Sequence, residues 1–157
     1  MKKAHILSAV KSVFTFVILV AIATACSNST SNDEEHEHPE PEGALLTLNG
    51  EVVVAKYPDN DNLINNFPSV TAGDQTGLIT VQFIDHDGDP VEIEEPEAYL
   101  RFNISNSSVI DVEQPEDWAF LVTALSEGSA ELTMELMHED HPDFTLPAFT
   151  IEVMAAE

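Results

Sequence analysis

The chain has 157 residues, with 29 Asp and Glu against 5 Lys and Arg and a formal net charge of −24. Every acid lies after Cys26, where only Lys56 and Arg101 oppose them, and two cations against 29 acids leave −27. A surface of that sign repels nucleic acid and anionic membrane and attracts divalent cations. The single cysteine excludes an intrachain disulfide, so stability must come from a core.

Residues 1–25 open with Lys2, Lys3 and Lys11 and continue into an apolar run, Val13 to Ala25, that is short for a bilayer span. This is the pattern of an exported leader. Its end, Ala23-Thr24-Ala25-Cys26, resembles a bacterial lipobox, although Ala23 stands where that pattern prefers Leu. The resemblance implies a lipoprotein lipidated at Cys26, held through its acyl chains to the envelope of a Gram-negative bacterium, on the outer membrane. Ala-Thr-Ala also fits ordinary leader cleavage, which cuts at the same bond and would release a free protein.

Residues 26–43 run SNSTSNDEEHEHPEPEG after the cysteine, without an apolar side chain able to join a core, and read as a solvated acidic tether. His36 and His38 lie among acids there and are secondary metal candidates. A flexible cluster must lose chain entropy before it binds, so such a site would be weak and unselective.

From residue 44 to 157 the apolar period is two. Ile79, Val81 and Phe83 alternate with Thr80 and Gln82; Leu100, Phe102 and Ile104 with Arg101 and Asn103; Ala130 to Leu136 with Glu131, Thr133 and Glu135; and Phe149, Ile151 and Val153 with Thr150 and Glu152. Turn residues separate these runs, and Val109 to Glu113 with Trp118 to Ala124 form an expected hairpin whose turn starts near Pro115. The spacing predicts an all-β fold, an antiparallel sandwich of about seven to eight strands.

Three segments carry a resemblance. Asn106 to Val112, Phe120 to Leu125, and Glu127-Gly128-Ser129-Ala130-Glu131-Leu132-Thr133 resemble the bacterial Ig-like (Big-type) pattern, over about a quarter of the chain. It implies an Ig-like sandwich and says little of activity, since such domains act as spacers, adhesins and binding modules. Leu45 to Phe67 fits that pattern poorly.

The segment Met137-His138-Glu139-Asp140-His141-Pro142-Asp143-Phe144 is expected as a loop before the last strand. Two imidazoles three residues apart can meet one ion if the backbone turns, with Asp140 or Asp143 completing a tetrahedral set around Zn²⁺. The zincin helix pattern H-E-x-x-H is not met, since His138-Glu139-Asp140-His141 is one residue short. The stretch also resembles, weakly, the C-terminal part of small exported lipoproteins with H-x-x-H-x-D-F, which implies a part in metal uptake. His86 is a further candidate ligand if its loop shares an end with this one; an independent strand at Val91 to Ile93 is expected to part the two loops. Asp85, Asp87 and Asp89 alternate as Ca²⁺ ligands would, but without the distal Glu of an EF-hand, and such a stretch is more often simply a hairpin turn with Gly88 at the left-handed position.

Enzyme motifs are absent: there is no G-x-S-x-G elbow, phosphate loop or dinucleotide fingerprint, and the neighbouring acids Glu94-Glu95 would point to opposite faces of a strand. The sequence thus leads to a non-enzymatic, envelope-anchored protein. Its expected role is to capture or present a divalent transition metal, Zn²⁺ foremost and Ca²⁺ less so, as an accessory to an outer-membrane transporter. The alternative is a metal-free structural or adhesive module.

Overall fold

The computed structural model describes residues 41–94 and 97–157. The leader, Cys26, His36 and His38 lie outside the described residues. Within them the fold is all β: β1 (Gly43–Leu48), β2 (Glu51–Lys56), β3 (Ile64–Asn65), β4 (Val70–Thr71), β5 (Ile79–Ile84), β6 (Pro90–Val91), β7 (Ala98–Ile104), β8 (Ile110–Glu116), β9 (Ala119–Ala124), β10 (Gly128–His138) and β11 (His141–Met154). Eight of these have six residues or more, as the spacing predicted, and β3, β4 and β6 have two each.

The strands make two sheets. One runs β3-β2-β1-β5-β9-β8 with β6 also on β5, the other β4-β11-β10-β7. The set β1-β5-β9-β8 against β7-β10-β11 is the ABED and CFG arrangement of an Ig-like sandwich. The hairpin β2–β3 is added outside β1, and β4 runs parallel to β11.

Alternation buries one face of each sheet. Leu46, Ile79, Phe120 and Val122 of the first sheet and Leu132, Met134, Leu136, Leu146 and Ile151 of the second are sealed from water, each contributing about 1.5–3 kcal/mol by burial. Phe102 and Phe120 join the sheets with ring centroids 4.8 Å apart. No polar side chain among the described residues is buried. On the outer face of the second sheet, the register partners Arg101 and Glu135 form an ion pair of 2.8 Å, and Asn103 donates to the same Glu135 oxygen at 2.7 Å. The hydrogen bond holds Glu135 below the usual carboxylate value and Arg101 above its own.

Three local readings need correction. The segment that fits the Big-type pattern poorly is well-formed sheet: Asn49 (φ 54°) and Gly50 (φ 86°) make a two-residue turn of the I′ kind between β1 and β2. The hairpin β8–β9 turns at Asp117-Trp118, because Pro115 falls in a bulge between Glu113 and Glu116 on an outer strand, where a missing N–H is tolerated. The expected loop before the last strand is almost all strand, since β11 begins at His141.

Candidate metal centre

Strands β10 and β11 pair along their length and close through only two residues, Glu139 and Asp140, with His138 opposite His141. Glu139 takes φ 52°, the left-handed conformation a II′-type hairpin asks of its first turn residue. That position favours glycine, and a side chain there costs about 1–2 kcal/mol. Cross-strand partners share a face with Cβ atoms close together, so the hairpin sets the two imidazoles side by side, centroids 5.7 Å apart.

Asp143 arrives through a bulge. Met137 pairs with Pro142 and Leu136 with Phe144, which leaves Asp143 as the extra residue. In an unbroken register Asp143 would oppose the buried Leu136. The bulge gives that inward position to Phe144 and leaves the carboxylate beside the histidines. His141 Nε2 lies 3.1 Å from Asp143 Oδ1, and His138 Nδ1 lies 3.7 Å from Asp143 Oδ2. Donor atoms of His138, His141 and Asp143 all lie within 4.8 Å of one another, the only such group of three His, Cys, Asp or Glu residues among the described residues.

Ion-to-ligand bonds of roughly 2.0–2.1 Å in a tetrahedron put neighbouring ligand atoms about 3.3 Å apart. The two His–Asp distances, 3.1 and 3.7 Å, run to different oxygens of Asp143, and the ligand atoms as a set fit only within 4.8 Å, so the side chains must draw together to seat an ion. His138 and Asp143 are about a third exposed and His141 is 63% exposed, so the group opens to solvent. Two imidazoles and one carboxylate could hold a borderline divalent ion and leave a fourth position free.

The other candidates stand apart. Asp140 is the second turn residue and is not part of the group. The Asp85 turn does lie at the same end of the sandwich: Phe83, two residues before it, meets Phe144 edge-on at 5.8 Å. Yet His86 stays in its own loop, 3.2 Å from Asp87 Oδ2, with both side chains exposed. The shared end survives although β6 is an independent strand, because β6 has only two residues, paired to Phe83 and Ile84, and never carries the chain to the far end. Asp85 Oδ1 accepts the backbone N–H groups of Asp87 and Asp89 at 3.0 and 2.9 Å, and Gly88 has φ 84°. That carboxylate caps its own turn, and Asp85, Asp87 and Asp89 form no ligand group within the distance stated.

Trp118, beside the β8–β9 turn, is only partly buried. Its ring meets Phe83 edge-on at 5.9 Å and 84°.

Neither the family models nor the curated proteins match this chain. Among solved structures it is similar to domains 4 and 5 of the S-layer protein SbsC. The TM-score is 0.39 and the identity 13%, over 74% of this chain and 66% of that one.

Proposed function

We propose that the domain captures a divalent transition metal, Zn²⁺ foremost, at the β10–β11 turn and presents it to a partner. The convergence of His138, His141 and Asp143 carries this reading. Imidazole nitrogen favours borderline ions over Ca²⁺ and Mg²⁺, while the surrounding acids raise the local cation concentration. Three protein ligands and an exposed fourth position suit an ion that is taken up and passed on better than one locked into the fold. Attachment to the outer membrane through lipid on Cys26 would keep the sandwich at the envelope, where a transporter is the fitting recipient.

Calorimetry on the full chain in detergent tests this, with His36→Ala and His38→Ala introduced so that the tether cannot contribute. Zn²⁺ should bind one per chain and in clear preference to Ca²⁺, and binding should weaken with acid because a proton competes for a ligating imidazole. His138→Ala with His141→Ala should abolish it, and His86→Ala should leave it intact. Equal affinity for Zn²⁺ and Ca²⁺, or undiminished binding in the double variant, refutes the proposal and leaves the metal-free module.

A further inference from the structure

The outer edge of β5 changes partner midway. It pairs with β9 at Ile79 and Thr80 and with β6 at Phe83 and Ile84. Between these, Val81 N donates to Trp118 O at 2.8 Å just as β9 leaves the sheet. The divergence opens a cleft of about 330 Å³, at the small end of the range for ligand sites.

The cleft has an apolar floor and an acceptor-rich rim. Val81, Phe83, Val91 and Trp118 line it, and Glu92 and Glu94, two residues apart, stand along its side. The exposed Gln82 donates from Nε2 to Phe83 O and Val91 O, at 3.0 and 3.4 Å, which commits its donor end and leaves the carbonyl end as acceptor. A site with two aromatic rings, two carboxylates and an amide oxygen in a chain of net charge −24 is complementary to a cation rich in hydrogen-bond donors. A planar guanidinium meets both demands, since it stacks on indole and offers a fork of N–H groups to carboxylates. An ammonium supplies charge but no plane.

We infer that the cleft between β5, β6 and Trp118 is a docking site for an arginine side chain of a partner protein. The inference does not depend on metal binding at the β10–β11 turn.

Trp118 is the only tryptophan of the chain, so its fluorescence reports on the cleft alone. The full chain is titrated with N-acetyl-arginine amide, with the neutral isostere N-acetyl-citrulline amide, and with a short arginine-containing peptide. The arginine amide should give a saturable change, the peptide should bind at least as tightly, and citrulline should bind roughly tenfold or more weakly. Glu92→Gln with Glu94→Gln should weaken arginine binding by a similar factor. Asp59→Asn with Asp61→Asn removes the same charge elsewhere and should leave binding unchanged. Trp118→Leu, followed by calorimetry, should lose binding while keeping the β-sheet circular dichroism signal. An equal response to citrulline would show that the positive charge plays no part, and equal losses in the two carboxamide pairs would show general electrostatics only; either result overturns the inference. Binding of free arginine amide without binding of the peptide would overturn the protein source.

Discussion

Phe83→Ala probes the join between the β10–β11 turn and the Trp118 cleft. Phe83 is 2% exposed and packs edge-on against both Trp118 at 5.9 Å and Phe144 at 5.8 Å. A buried Phe→Ala change costs about 3–5 kcal/mol through lost transfer energy and the cavity left behind. Each edge-on aromatic pair adds about 0.5–1.5 kcal/mol beyond area, which places this site in the upper half of that range, about 4–5 kcal/mol. Since domains are stable by only about 5–15 kcal/mol, the variant should remain folded but marginal. Urea unfolding followed by Trp118 emission measures it, with a shifted midpoint and unchanged slope expected. Phe83→Leu, which keeps most of the volume, should lose much less. A loss below about 1 kcal/mol for Phe83→Ala would show that the ring is not packed between the sheets, and the shared end of the two loops would lose its support.

Glu139→Gly should stabilise the hairpin by up to about 1 kcal/mol, because relief of the left-handed strain exceeds the extra unfolded-state entropy of glycine; a lowered melting temperature would contradict the turn assignment. Glu135 contributes stability that is complete above its unfolded-state pKa and is lost as pH falls through its lower folded-state value. Glu135→Gln should therefore be less stable than the parent near neutrality and equal to it in strong acid, by a small margin because the pair is partly exposed. Mass spectrometry of the mature N-terminus should find an acylated Cys26, and a free thiol on a soluble protein would exclude the anchor.

Local pattern determined the strands. Alternation of apolar and polar residues is a property of each segment alone, because a half-buried sheet imposes a period of two wherever it lies, and so β5, β7, β9 and β10 emerge close to their bounds. Asn49-Gly50 is equally a local signal, since both residues tolerate the positive φ that a I′ turn requires. The prolines hid the start of β11. Pro147 lies in the bulge opposite Thr133, and Pro142 precedes the second bulge, on a stretch of β11 whose other edge has no partner strand among the described residues, so neither breaks a needed ladder.

The histidine pair was visible as two imidazoles beside acids, but their meeting was not. It depends on a two-residue turn that makes His138 and His141 partners and on a bulge whose extra residue is Asp143, which keeps that carboxylate off the core-facing position. Register is a relation between strands, and a slip of one position reverses every face. The same holds for His86, whose loop reaches the same end while its ring stays with Asp87. The cleft beside Trp118 exists only because two strands share one edge of β5 and part between Thr80 and Phe83. Sequence determined the strands with a clear period of two, such as β5, β7, β9 and β10; pairing in three dimensions decided how far β11 extends and which side chains meet, because contact across a sheet is set by partners far apart in the chain.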